Sequence, residues 1–479
     1  MELITELYEH QKKAFEKLIR IKVGALYLDM GTGKTRTTLE LIKRRLEKGK
    51  INHILWLCPY SVKRNLEEDI IKHTGEFNKN LFTICGIETL SSSIKTNLKL
   101  LELVENKKCY LIVDESNLIK NPFAKRTKNI LRLSEKCTYK LILNGTPISK
   151  NESDLYAQWL LLDWRILGYK SFWSFSANHL EYDPKIKGKI RRCLNVDYLV
   201  EKIAPYTYQV KKDECLDLPE KTYEKVYYNL TNKQDEHYLD IANQLLFEVD
   251  ELEPHTIYRM FTGLQNVISG FKVTVKSKLE KELFFNDPYD NPRIRKFMSV
   301  IDDISEYKVI VFCKYTEEIT TIVKLLNEEY GENVAIPFFG EIKQKQRHKN
   351  IDMFKGESRF LVANKTCGAY GLNLQFCNYI IYYSNDWDYA TRSQSEDRVH
   401  RIGQDKNVHI IDICCNNTLD ERILSCLRKK ENLVDSFKSE IDKSKDRKDL
   451  FTWITKRDYN GKKYSKKVEL EKCEELQEI

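Results

Sequence analysis

The seven residues Asp29-Met30-Gly31-Thr32-Gly33-Lys34-Thr35 constrain this chain more than any other stretch. Before them runs Ala25-Leu26-Tyr27-Leu28, apolar and of strand length, and after them Leu39, Leu41, Ile42 and Leu46 recur at near-helical spacing until Gly49. The context is strand, loop, helix. Gly31 and Gly33 permit backbone angles and a close approach that a side chain would block, so successive N–H groups and the helix start can surround a polyphosphate. In that pattern Lys34 reaches the β- and γ-phosphates and Thr35 coordinates magnesium. Leu28 occupies the place of the usual first glycine, so the reading requires a second signal: a downstream strand with an acidic end.

That signal arrives as Cys109-Tyr110-Leu111-Ile112-Val113-Asp114-Glu115. An aspartate at a strand end can hold the metal while the adjacent glutamate polarises the attacking water. Upstream, Gln11 opens a helical pattern through Ala14, Leu18 and Ile19, and its amide offers the donor and acceptor that match the paired edge of adenine. Ile54–Cys58, Leu81–Cys85 and Leu141–Asn144 read as further strands, the last entering the turn Gly145-Thr146-Pro147. Strands alternating with helices predict a mostly parallel sheet whose ligands gather at the carboxyl ends of the strands.

The alternation fades from about Trp164 to Pro292 into charged, partly helical sequence with aromatic anchors at Phe172, Trp173, Tyr206, Tyr208 and Phe261. It resumes at Lys308–Cys313, Val334–Phe339, Phe360–Ala363, Tyr379–Tyr383 and Val408–Ile413. This second α/β lobe has no Gly-Lys-Thr of its own. It does carry Arg398 and Arg401, three apart and hence expected on one helical face, where two guanidiniums can clamp a phosphoryl group in transfer.

At about 150 residues per domain, 479 residues predict roughly three units. The chain is 42% apolar and 31% charged, which excludes a disordered polymer. A net charge of +8 is compatible with local basic patches for a polyanion and equally with a solvated lysine-rich surface. Thirteen cysteines lack any Cys-x-x-Cys spacing, so neither a zinc site nor a disulfide framework is expected. No apolar run approaches 18 residues, and a cytoplasmic protein is the expectation, in a bacterial or infected-host cytosol.

With these residues assembled, the chain resembles the Swi/Snf family of helicase superfamily two, in the compact form carried by bacteriophages. The likeness spans about residues 7 to 425. Gln11 lies in what resembles the adenine motif, Asp29 to Thr35 in motif I, Cys58-Pro59-Tyr60-Ser61 in motif Ia, Asp114-Glu115 in motif II and Gly145-Thr146-Pro147 in motif III. Val210-Lys211-Lys212 with Leu218-Pro219-Glu220-Lys221 is similar to the family's bracing linker. Gly371-Leu372-Asn373-Leu374, Trp387 and Gln394 to Gln404, with its Arg-Ile-Gly-Gln ending, resemble motifs V and VI. Three places depart from the pattern. Ser116-Asn117 replaces glycine or alanine and histidine, Asn144 stands where serine or threonine is common, and Gln209-Val210-Lys211 lacks paired arginines.

The resemblance implies two tandem RecA-like parallel-sheet lobes with an inserted helical region. The expected division is lobe 1 at 1–165, a helical insertion and linker at 166–292, lobe 2 at 293–430 and a basic helical tail at 431–479. It implies a DNA-stimulated ATPase and double-stranded DNA translocase using ATP and Mg2+, with Lys34, Glu115, Arg398 and Arg401 catalytic. Gln11 and Met30, Gly31, Thr32, Gly33, Lys34 and Thr35 would hold the nucleotide, and Thr35 and Asp114 the metal. Family analogy places contacts to DNA backbone phosphates at Pro59, Ser61, Thr89, Thr366 and Trp387. A monomer without membrane attachment is expected, with the insertion or tail offering a surface for a protein partner. Two other readings stay open: a strand-separating DNA or RNA helicase, and a catalytically weak nucleic-acid-binding recruiter, for which Ser116-Asn117 is the sequence support.

Overall fold

Apolar runs of four to eight residues, too short for buried helices and rich in branched side chains, become the strands of two parallel sheets. The computed structural model describes residues 1–457 apart from 146–151, 185–187, 189, 248–253, 276–277, 305–306, 366–371, 431–432 and 444–446. The strands are Val23–Leu28 (β1), His53–Cys58 (β2), Phe82–Gly86 (β3), Cys109–Val113 (β4), Tyr139–Asn144 (β5), Leu180–Tyr182 (β6), Ile190–Cys193 (β7) and Thr207–Val210 (β8). Beyond them come Lys221–Tyr228 (β9), Phe271–Val275 (β10), Leu279–Leu283 (β11), Val309–Cys313 (β12), Ala335–Phe338 (β13), Phe360–Asn364 (β14), Tyr379–Tyr382 (β15) and Val408–Cys415 (β16).

One sheet runs β3-β2-β4-β5-β1-β8 and the other β13-β14-β12-β15-β16-β9, every pairing parallel; β6-β7 and β10-β11 are antiparallel hairpins. Parallel strands need crossover helices, and these cover both faces, so β2, β4 and β12 are buried at every position. The chain divides into two compact units, the first essentially Met1–Leu218 and the second, apart from two short segments, the residues from Pro219 on.

The stretch 166–292, which reads as helical, also donates one edge strand to each sheet. Thr207–Val210 pairs with β1 and Lys221–Tyr228 with β16. Both strands are half-exposed and carry polar residues, so neither has the continuous apolar run that marks a central strand. The first part of the expected tail is docked: Phe437, Phe451 and Ile454 are buried in the second unit's core, and Arg457 makes a two-armed contact to Asp235 at 2.8 and 2.6 Å. No disulfide joins any described cysteine, and no described helix is long and apolar enough to cross a membrane.

The second unit is stapled by a buried ion pair. Arg293 at the start of the helix Pro292–Asp303 donates to Asp420 at 2.6 Å, with side-chain exposures of 2% and 6%. Asp420 also accepts the Cys415 N–H at 3.3 Å, and the guanidinium lies over the Tyr228 and Tyr383 rings. Burial pushes the Asp420 carboxyl up, and Arg293 pulls it back toward its charged form. Removing one member of such a pair strands the other charge. Arg293→Ala is expected to cost about 3 to 5 kcal/mol in denaturant unfolding of the second unit. A loss below about 1 kcal/mol, the size typical of an exposed pair, would show that solvent reaches the site.

Candidate active site

Strand register places the phosphate loop and the acidic strand end on one edge. Ile142 of β5 pairs with both Ala25 of β1 and Val113 of β4, so those residues share a row across the sheet. The two strands are therefore about 9 to 10 Å apart. β4 ends at that row, delivering Asp114 and Glu115, and β1 runs three residues further before the loop begins.

The loop needs its glycines. Gly31 and Gly33 have φ of 79° and 87°, in the left-handed region, and Gly33 caps the helix Lys34–Glu47. A Cβ on Gly33 would lie 2.1 Å from Gln11 Nε2. Lys34 Nζ donates to the Leu28 carbonyl at 2.9 Å, which folds the ammonium back over the loop, and Thr32 Oγ1 donates to the Asp29 carbonyl at 2.8 Å. Met30 lies within the loop and Thr35 in the first helical turn, so the residues from Met30 to Thr35 share one loop and helix start.

Gln11 is at this loop, but its amide is engaged by main chain. Nε2 donates to the Thr32 carbonyl at 3.1 Å, Oε1 accepts the Tyr8 N–H at 3.1 Å, and the side chain is 1% exposed. Two partners escaped sequence reasoning. His10 Nε2 lies 2.8 Å from the same Thr32 carbonyl, and Asp29 Oδ2 accepts the Lys212 N–H at 2.9 Å, tying the loop to the segment after β8. Adjacency to Gln11 was the available signal for His10. Nothing in the local pattern marks Asp29 and Lys212, which lie 183 residues apart.

Asp114 Oδ1 accepts the N–H of Glu115, at 2.9 Å. Glu115 has φ 49° and ψ 55°, a left-handed conformation that costs a residue with a Cβ about 1 to 2 kcal/mol. Ser116, fully buried, donates to Gln158 Oε1 at 2.5 Å and receives a long 3.5 Å contact from the Asn144 amide. The replaced positions Ser116 and Asn144 thus meet each other at the ends of β4 and β5. Thr146 and Pro147 lie outside the described residues.

At the far side of the same edge, the ends of β2 and β3 bring Pro59, Ser61 and Thr89 together. Pro59 precedes the 3-10 turn Tyr60–Val62, Thr89 opens the short helix Thr89–Ser92, and the Tyr60 N–H donates to Glu88 at 2.8 Å across the gap. Gly86 is close-packed here, since a Cβ on it would lie 2.8 Å from the Tyr60 ring. Lys63, with Nζ 5.9 Å from that ring, is a cation at this edge that the motif comparison passed over.

In the second unit Trp387 is half-buried against Tyr258 and Phe261, with Lys314 Nζ 3.5 Å from its ring centre. Burial lowers the Lys314 amine and Asp386, at 3.5 Å, raises it. Lys365 is fully buried beside Asn385, and burial followed by the charge of Arg392 pushes its amine down to about 7. Thr366 lies outside the described residues. Arg392, also missed, grips Asp412 through two bonds of 2.6 and 2.9 Å and Glu396 at 3.1 Å. Its only local signal was the Glu396 four residues on.

The expectation that Arg398 and Arg401 share a helical face is corrected. The helix Tyr389–Glu396 ends before either, and the chain continues in turns, with Arg398 N–H bonded to Ser395 O and Val399 N–H to Glu396 O. Distant partners hold these turns: the Arg398 carbonyl accepts Leu374 N–H at 3.0 Å, His400 Nε2 lies 2.8 Å from Pro219 O, and Gln404 donates to Cys377 O at 2.9 Å. Arg401 donates to Asn373, so the motif V and VI stretches are joined side chain to side chain.

With this geometry in place, two family models match the chain: the SNF2-related domain over residues 10–280, more than half its length, and the helicase conserved C-terminal domain over 292–403. Among curated relatives, the ATP-dependent helicase YqhH of Bacillus subtilis is 25% identical, over 90% of this chain and 80% of its own. The ATP-dependent helicase MG018 of Mycoplasma genitalium is also 25% identical, over 86% of this chain and 40% of its own. The TATA-binding protein-associated factor mot1 of Schizosaccharomyces pombe is 24% identical over 86% of this chain and 25% of its own. Among solved structures, the Sulfolobus solfataricus SWI2/SNF2 ATPase core in complex with dsDNA aligns with a TM-score of 0.40 at 23% identity, over 91% of this chain and 93% of that one.

Proposed function

Given that this chain belongs to the SNF2-related family, we propose that it is an ATP-hydrolysing motor that tracks along double-stranded DNA, working as a single chain in the cytosol. One observation carries the reading: a left-handed glycine loop with Lys34 stands on the same sheet edge as the Asp114-Glu115 strand end. The loop N–H groups and the start of the helix Lys34–Glu47 bind the phosphates, and Lys34 leaves the Leu28 carbonyl for them. Gln11, already fastened to the loop, links adenine recognition to loop shape. Glu115 orients the attacking water and takes its proton.

The residues present fit Mg2+. No cluster of three or more His, Cys, Asp or Glu occurs among the described residues, and a hard cation of this kind binds through one carboxylate, a hydroxyl, phosphate oxygens and water. Asp114 and Thr35 would hold it, and the ion would neutralise charge on the phosphates. Arg398 and Arg401 supply positive charge to the phosphoryl group in transfer.

Pro59, Ser61, Thr89 and Lys63, together with Trp387 and Thr366, contact backbone phosphates, which makes binding independent of sequence and sensitive to salt. The test compares ATPase rates with duplex DNA, single-stranded DNA and RNA. Duplex is expected to stimulate most, with apparent affinity falling steeply between roughly 50 and 200 mM salt. Rates indifferent to all three polymers would favour a recruiter. The helicase names of the relatives motivate a second reading, strand separation. A translocase displaces the third strand of a triplex and leaves a forked duplex paired, whereas a helicase opens the fork.

A further inference from the structure

The helix Lys125–Glu135 packs on the opposite face of the first sheet from the phosphate-loop helix. Its Ile130 and Leu133 join the core that holds Ala25 and Tyr27, whereas Leu39 and Ile42 join the core that holds Leu26 and Leu28. Its outer face carries Lys125, Lys128 and Arg132, all exposed and spaced three and four apart, so they form one stripe. None of the three side chains has an ion pair or hydrogen bond among the described residues. Like charges at this spacing repel, and Lys125 also opposes the positive end of the helix, whose first turn holds no acid. A bound polyanion would relieve both costs.

At the start of the same helix the chain exposes aromatic rings. Phe123 is 51% exposed and Trp173, from the helix Phe172–His179, 70%, with ring centroids 5.9 Å apart. Phe172 touches them at 5.4 and 5.9 Å and is itself seated on the buried Tyr156. No described cation covers Phe123 or Trp173; Lys170 lies over Trp164 instead, at 4.4 Å. The segments that carry rings and stripe, 116–134 and 164–180, contain seven Lys or Arg and no Asp or Glu, against 79 and 71 over the whole chain. Lys120 and Arg165 are neutralised by Asp154 and Asp163, which leaves the other five to face solvent or a ligand.

We propose that this surface binds single-stranded nucleic acid, its phosphates on the stripe of Lys125, Lys128 and Arg132 and an unpaired base stacked on Trp173 beside Phe123. Neighbours in the stripe are about 5 to 6 Å apart at Cβ, close enough to serve successive phosphates of one strand. Every base has a face that stacks on an aromatic side chain, so recognition is independent of sequence. An acidic peptide would meet the stripe and leave the rings uncovered, and a duplex has its bases already stacked. The ligand therefore goes beyond the duplex contacts proposed above. Asn129 of this helix donates to the Leu90 carbonyl at 2.7 Å, which joins the surface to the Thr89–Ser92 helix.

Binding to the full-length protein, without nucleotide, is measured by fluorescence anisotropy for three labelled probes: an oligothymidylate, an abasic strand of the same length, and a duplex of that length. The oligothymidylate is expected to bind roughly tenfold or more tighter than the abasic strand, the size of one stacked base. Phe123→Ala combined with Trp173→Ala should erase that advantage and leave abasic binding, duplex binding and basal ATP hydrolysis unchanged. Lys128→Ala combined with Arg132→Ala should weaken both single strands alike and lower the salt slope by roughly one to one and a half. Equal affinity for the two single strands in the unmodified protein overturns the proposal without reliance on any variant. So does a base advantage that survives loss of both rings, or binding untouched by loss of the stripe. Displacement of the strand by an equimolar oligoglutamate of equal charge also overturns it and assigns an acidic polypeptide. All these outcomes leave the duplex-stimulated ATPase standing, and failure of that stimulation leaves this surface standing.

Discussion

Lys34→Ala is expected to abolish measurable ATP hydrolysis, lowering kcat/KM by at least about a hundred- to a thousandfold, the effect of removing one preorganised donor from a developing charge. The fold should survive. Lys34 is half-buried and its side chain has one main-chain partner, Leu28. Loop shape is maintained instead by Gly31 and Gly33, by Thr32 on Asp29, and by His10 and Gln11 on Thr32. A thermal melt within a few degrees of the unmodified protein, combined with lost turnover, would isolate the chemistry. Undiminished hydrolysis would remove the nucleotide from this loop and end the proposed function.

Arg401→Ala is expected to leave ATP binding intact and to slow turnover by about a thousand- to a hundred-thousandfold, roughly 4 to 7 kcal/mol of barrier. A surface ion pair, the ordinary role for such an arginine, contributes at most about 1 kcal/mol. Single-turnover hydrolysis set beside fluorescent-nucleotide binding distinguishes the two. Arg401→Lys should recover little, because an ammonium cannot reproduce the planar fork of donors. If Arg401→Ala hydrolyses ATP at the normal rate, Arg398 becomes the residue to remove. If neither matters, the arginines of this stretch take no part in the chemistry.

Ser116 and Asn144 bear on the recruiter reading. Their departure from the family pattern reads, in sequence, as a broken connection between the Glu115 strand and the next one. In the structure the two replacements lie at neighbouring strand ends, and Ser116 gains a short bond to Gln158. Glu115 keeps its left-handed turn. A changed connection at this place is therefore compatible with turnover.

The central strands and the phosphate loop were legible because their signals are local. A buried parallel strand must be apolar on both faces, and a loop that wraps phosphate must use glycine where φ is positive, so β1, β2, β4, β12 and Gly31 to Lys34 announce themselves. The edge strands Thr207–Val210 and Lys221–Tyr228 did not, since half-exposed strands tolerate Gln209, Lys221 and Glu224 and look like charged coil. Arg398 and Arg401 show the same limit. A spacing of three implies one helical face only while the helix lasts, and here it stops at Glu396, with Leu374 and Pro219 holding the turns that follow.

By itself the sequence determined the chemistry on offer: a phosphate loop, an acidic strand end, a pair of arginines and the strand rhythm that carries them, each encoded within a few neighbouring residues. Tertiary structure alone decided which distant groups meet. Asp29 takes the N–H of Lys212, Gln11 is fastened to Thr32, Arg293 is buried on Asp420, and Glu318 closes its helix cap through Ser384 and the Tyr315 N–H. Such pairings depend on sheet register and on which polar group finds a partner once water is excluded, and no local pattern carries that information.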